Sequence, residues 1–278
     1  MIGILSNAII AGVLSSILFG VLGSVVTVKR IAGLAGAVSH AVLGGIGMAL
    51  YLSATGRVPG MPPILGAIIF AVIAALVIGI VSLKAKQRED TVINAIWAIG
   101  MSIGVLFMAK TPGYTDPTSY LFGNILLIST YDLWFLAILD IVVIIFTWRF
   151  YPQIEAVAFD AEFAQVRGIR TNITFIVILI IIAVSIVLLQ TFVGIVMVIA
   201  MLTLPAGTAG YRAKNLAGMM IGATVYALLF STVGLAIAWT LDAPAGAMSV
   251  VLAGIVFLGA AGLSMFRGKK KNKTEKAQ

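Results

Sequence analysis

Long apolar runs follow one another along the whole chain, separated by short polar or basic breaks. Runs of eighteen or more such residues are long enough to cross the hydrocarbon core of a bilayer as helices. The pattern predicts spans near residues 5–27, 33–54, 63–83, 91–109, 131–148, 172–189, 192–208, 215–240 and 245–266. The predicted fold class is therefore all-α, a polytopic transmembrane bundle of about nine spans, with eight as the alternative count.

The count turns on residues 172–204, a stretch of 33 residues interrupted only by Gln190, Thr191 and a few small polar side chains. As one helix it would be about 50 Å long, against a hydrocarbon core of about 30 Å. A tight hairpin near Gln190, or a re-entrant half-helix, fits better. Charge supports nine. With nine spans, 16 of the 18 Lys and Arg residues fall on one face, and only Arg57 and Lys110 fall opposite. The positive-inside rule then puts the N-terminus outside and the tail "RGKKKNKTEK" in the cytoplasm. Residues 1–266 form the membrane domain, and residues 267–278 form a basic cytoplasmic tail that rests on anionic membrane lipid.

Composition agrees with this reading. The chain is 61% hydrophobic and 10% charged, whereas soluble domains are about 45–50% apolar and about 25% charged. The net charge of +8 is spent on loop and tail anchors, so it does not point to nucleic acid. Zero cysteines exclude a disulfide framework, a thiolate metal site and a lipid-modified cysteine. The opening "MIGILSN" has no basic n-region, so the first helix is expected to be retained. No G-x-x-x-x-G-K-[ST] loop is present, so any ATP used in transport is hydrolysed by another chain. The one histidine, His40, sits inside a span, which excludes a Ser/His/Asp hydrolase set. We therefore expect a transport subunit rather than an enzyme.

Two segments outside the spans carry information. On the outer side, residues 110–130 read "KTPGYTDPTSYLFGNILLIST". The turn residues Pro112, Gly113, Asp116 and Pro117 precede "YLFGNILLI", which is too apolar for an exposed loop and too short to span. On the cytoplasmic side, residues 150–172 contain a short amphipathic helix with Asp160 as N-cap, Phe163 and Val166 on one face, and Gly168 as the stop. Such a helix suits docking against a soluble partner, and a plain surface helix is the alternative.

Several segments, in order from about residue 10 to 265, together resemble the permease subunit of ATP-binding-cassette importers for zinc, manganese and iron. They are "VKRIAGLAGAVSHAVLGGIG", "REDTVINAIWAIGMSIGVLFM", "SYLFGNILLIS", "AFDAEFAQVRGI", "VGIVMVIAMLTLPAGTA" and "DAPAGAMSVVLAGIVF". The resemblance implies a homodimer of permeases in a prokaryotic cell membrane, two cytoplasmic ATP-binding subunits and an extracytoplasmic metal-binding protein. It implies no permanently bound cofactor, only a divalent metal ion in transit by alternating access. It also makes the segment around residues 150–172 the ATPase-coupling element, with Phe159, Asp160, Glu162, Ala164 and Gly168 matching the family's motif.

In many members a segment like "GDALSHA" places an aspartate four residues before the histidine. Asp and His at that spacing share a helix face and suit a transient Zn²⁺ or Mn²⁺ site. Here the register reads "AGAVSHA", and Gly36 stands in the aspartate's place. Gly36, His40 and Gly44 share one face, flanked by Gly45 and further small residues, which lets a neighbouring backbone approach closely. His40 is the leading candidate for the metal path, either with a dimer mate or with another span. The alternative is a neutral histidine bonded to a backbone carbonyl or Asn94. Asp140 in "LAILDIVVI" is the one acid placed mid-span and a second candidate ligand, with a helix-packing hydrogen bond as its alternative. Asp242 in "LDAPAGA" matches a family motif at the outer end of the last hairpin, and there a turn-forming Asp is the simpler reading. With Asp116 and Asp132 it would raise the local cation concentration. The eleven Met residues are scattered and read as core filler. Two other functions stay open, an ATP-driven importer of a chelated metal or other small nutrient, and a secondary transporter or channel.

Overall fold

The computed structural model describes residues 2–84, 89–113 and 128–275, and every element in them is helical. In chain order these are α1 (Ile2–Val28), α2 (Ala32–Ala54), α3 (Pro63–Lys84), α4 (Glu89–Lys110), α5 (Thr130–Arg149), α6 (Tyr151–Phe159), α7 (Ala161–Val166), α8 (Thr171–Val193), α9 (Ile195–Met201), α10 (Leu204–Gly210), α11 (Leu216–Leu241) and α12 (Ala245–Glu275). Eight of them are long and apolar enough to cross a membrane: α1 to α5, α8, α11 and α12. The expected interfacial stretch at residues 120–127, with Asp116 and Pro117, lies outside the described residues.

The ninth expected pass exists, but not as one spanning helix. Residues 195–210 form two seven-residue helices, α9 and α10. The reason is Pro205, in the first turn of α10. Proline has no N–H to return to the carbonyl of Met201, so the helical ladder stops. The reversal itself is at Gly194, not Gln190. Gly194 has φ +85, a conformation open to glycine and costly for other residues. Gln190 lies inside α8, 3% exposed.

Neighbours show that the chain turns back there. Near the start of α8, the Phe175 ring lies 5.3 Å from the Lys29 ammonium. Near its end, a Cβ built on Gly246 would lie 3.4 Å from the Val193 carbonyl oxygen. Ala206 and Ala209 are then back beside Val28, packed with Met219 and Ala223. At the other end of α1, Asn7 Nδ2 donates to the Ile128 carbonyl at 3.4 Å. The start of α1 and the far end of α12 therefore lie at opposite ends of the bundle.

Helix α2 forms its centre. Every residue from Leu34 to Gly47 is buried, which a helix apolar on all sides permits only when neighbours enclose it. Helices α3 and α4 close on it backbone to backbone. A Cβ on Gly45 would run into the Gly66 carbonyl of α3, and one on Gly47 would lie 2.5 Å from the Gly104 carbonyl of α4. Small residues at both surfaces are what allow helices to approach so closely in a membrane.

Candidate functional site

His40 sits in the middle of this α2–α4 contact and is 8% exposed. Its Nδ1 lies 2.8 Å from the Gly36 carbonyl oxygen. A carbonyl only accepts, so Nδ1 carries the proton and donates, and in the neutral ring the lone pair is on Nε2. The backbone carbonyl, not Asn94, is the partner of Nδ1. The other feature of the ring is a stack. Trp97 of α4 lies over it with centroids 4.3 Å apart and planes 25° apart. A Cβ on Gly36 would come within 2.5 Å of the Trp97 ring. The volume that a carboxylate at position 36 would need is thus filled by the indole.

Asp140 is 3% exposed, and neither carboxylate oxygen has a hydrogen-bond partner among the described residues. It belongs to a buried stripe on α5 formed with Leu133, Leu136 and Val143. That stripe is the packed side of α5, which rests mainly on α1. His40, by contrast, is enclosed between α2 and α4. Among the described residues, no three His, Asp or Glu side chains converge on one point that could hold an ion.

The outer acids have local duties. Asp132 closes a capping box at the start of α5, accepting from Ser129 N at 2.9 Å and from Ser129 Oγ at 2.6 Å. Asp242 is exposed and ends α11 in the left-handed conformation, φ 49 and ψ 46, which Asp tolerates better than most residues.

At the opposite end, where Lys29 lies, α6 and α7 form a short helical hairpin. Helix α6 is held by buried Ile154, Val157 and Ala158, whereas α7 is anchored by Ala164 alone. Asp160 joins them. It caps α7, its Oδ1 accepting the Phe163 N–H at 2.9 Å. Gly168, at φ +82, ends the segment. The apolar side chains at its tip are turned outward: Phe159, Phe163 and Val166 are 63%, 53% and 88% exposed. Glu162 is exposed beside them, and the Arg167 guanidinium lies 4.7 Å from the Phe163 ring.

Sequence reasoning misses three residues. Trp97 has one available signal, a tryptophan deep in a span rather than at an interface. Gln190, with both amide atoms unbonded among the described residues, reads as a turn residue. Tyr151 bridges two helices: its hydroxyl donates to Glu155 at 2.8 Å and accepts the Ala217 N–H at 3.0 Å.

The chain is similar to known membrane transport proteins over nearly its whole length. It is 36% identical to an uncharacterised membrane protein of Synechocystis, covering 91% of this chain and 88% of that one. It is 31% identical to the manganese transport system membrane protein MntC of Listeria monocytogenes, covering 91% and 88%. Among solved structures, PsaBC from Streptococcus pneumoniae in complex with a Fab superposes with a TM-score of 0.80 at 26% identity, covering 92% of this chain and 90% of that one. Residues 1–264 match the ABC 3 transport family, so this multi-pass membrane protein belongs to that family.

Proposed function

We propose that the chain is the permease subunit of an ATP-binding-cassette importer that moves a divalent metal ion into a prokaryotic cell by alternating access. The observation that carries this reading is the α6–α7 hairpin on a chain that belongs to the ABC 3 transport family. Phe159, Phe163 and Val166 leave most of their surface uncovered by the described chain. Exposed apolar tips on a capped hairpin suit insertion into a groove of a soluble protein. We assign that partner as a separate ATPase, bound to each of two permease copies. The basic end of the bundle then faces the cytoplasm and the Asn7 end faces an extracytoplasmic metal-binding protein.

Two outward faces support the dimer. Helix α5 exposes large apolar side chains, with Tyr131 and Trp134 near one end and Trp148 near the other. That distribution suits lipid with an aromatic belt at each interface. Helix α4 exposes Asn94, Ala95, Ala98 and Ser102 as well as the larger Ile99, Met101, Val105 and Leu106. Small and polar residues within a span suit a helix partner rather than lipid, and a second copy would cover them. His40 stacks on Trp97 of this same helix, and the manganese transport of the Listeria relative makes a metal ion the leading cargo.

The test is uptake by the assembled transporter in proteoliposomes. Metal accumulation that depends on ATP, on the ATPase subunit and on His40 is expected. A permease that moves a solute with no ATPase present would overturn the assignment.

A further inference from the structure

Glycine at position 36 has two effects at once. It leaves no side chain one turn before His40, and it admits the Trp97 ring, which a Cβ would meet at 2.5 Å. What remains is a single ring nitrogen. Nδ1 is committed to the Gly36 carbonyl, while Nε2 has no hydrogen-bond partner among the described residues. Behind the ring stands an indole, stacked at 4.3 Å, in place of an oxygen ligand.

Ligand chemistry distinguishes such a point from a carboxylate–imidazole pair. Imidazole nitrogen suits zinc, copper, nickel and iron, while carboxylate oxygen suits manganese, magnesium and calcium. We propose that Gly36 and Trp97 form the selectivity element of this permease. Trp97 positions His40 by stacking and excludes an oxygen ligand from its side, so the path favours a nitrogen-seeking ion such as Zn²⁺ over Mn²⁺. The inference rests on the metal-permease reading.

Trp97 is a positioning residue here, and the ratio between two ions is the readout that a purely structural role would not move. Zinc and manganese ions alone, each radiolabelled, are titrated by equilibrium dialysis against the permease–ATPase complex in nanodiscs. The unmodified complex is expected to bind Zn²⁺ more tightly. Trp97→Ala should weaken Zn²⁺ by about tenfold, the scale on which groups supporting a metal ligand act. Trp97→Phe keeps an aromatic wall and should retain the preference. The double substitution Gly36→Asp/Trp97→Ala opens the volume and adds a carboxylate, and should shift the ratio toward Mn²⁺ by about tenfold or more.

An unmodified complex that binds Mn²⁺ at least as tightly as Zn²⁺ overturns the selectivity proposal and leaves the permease reading intact. So does a folded double variant that keeps the original ratio. Binding of neither ion, together with a transporter that accumulates no metal, overturns both.

Discussion

The hydroxyl of Tyr151, in the first turn of α6, accepts the backbone N–H of Ala217, in the first turn of α11, at 3.0 Å. The first N–H groups of a helix have no intrahelical partner. Asn215 caps the one at Gly218, and Tyr151 satisfies the one at Ala217. The hairpin that carries the proposed docking tip is thereby tied to a membrane helix. Tyr151→Phe should cost about 0.5–1.5 kcal/mol, the net worth of a hydrogen bond at a half-buried position. Thermal unfolding in detergent measures it, and an unchanged transition would show that the bond contributes nothing.

The same phenol gives a pH dependence. Burial first, and then its hydrogen bond to Glu155, push its pKa above the ordinary value of 10.0. The folded state thus holds the proton more tightly than the unfolded state. This contribution is complete below about pH 10 and disappears as pH rises through the raised value. Wild type should lose an alkaline increment of stability that Tyr151→Phe lacks. Parallel losses in the two proteins as pH rises above about 10 would contradict this.

Asp160 combines a cap and a charge, and substitution separates the two. Asp160→Ala removes both and should cost about 1 kcal/mol locally, whereas Asp160→Asn keeps a good cap. If the hairpin must be folded to bind its partner, Asp160→Ala should lower co-purification of the ATPase and Asp160→Asn should largely preserve it. Val166→Asp should abolish it, because a charge would replace the most exposed apolar tip. Equal recovery of the ATPase with all three variants would remove the hairpin from the interface.

Asp140 is a buried acid with no partner among the described residues. Such a group costs stability, so Asp140→Leu should stabilise the permease, by about 1–3 kcal/mol. Intramembrane acids are kept mainly for function, and metal uptake should fall in both Asp140→Leu and Asp140→Asn. Uptake equal to wild type in the leucine variant would reduce Asp140 to a packing residue.

One substitution should have opposite signs at two glycines. Gly45→Ala drives a methyl group into the Gly66 carbonyl, and overpacking of this kind costs about 1–3 kcal/mol. A Cβ on Gly254 would meet nothing within 4 Å among the described residues, and Ala there should stabilise α12 by about 0.5–1 kcal/mol through helix propensity. Melting temperatures of the two variants should move in opposite directions, and movement in the same direction would refute the contact geometry.

The long helices are legible in the sequence because a bilayer-length apolar run needs no knowledge of its neighbours. Asp160 as a cap and Gly168 as a stop are equally local, since each follows from a side chain and its own backbone. The reversal is harder. Residues 172–204 are almost continuously apolar, and Gly194 and Pro205 mark the turn and the break only through backbone conformation. Asp132 reads as part of an outer mouth from its position alone, although Ser129-x-x-Asp132 is a capping pattern visible in the sequence. The contact that Trp97 makes is beyond reach for a different reason. Its tie to Gly36 is a collision between two helices far apart in the chain, and only packing reveals which residue fills the absent side chain's place.

The divided ninth pass has a mechanical consequence. Helix α9 leans on α8 and α2, whereas α10 leans on α1 and α11, and both touch α12. At the joint, Thr203 Oγ1 is already shared between the carbonyls of Ile199 and Ala200, each at 3.1 Å. Sliding one group of helices past the other therefore breaks no ladder of a long helix. The joint divides the segment into two short rods, and it lies between the interior of the bundle and the end that carries the α6–α7 hairpin.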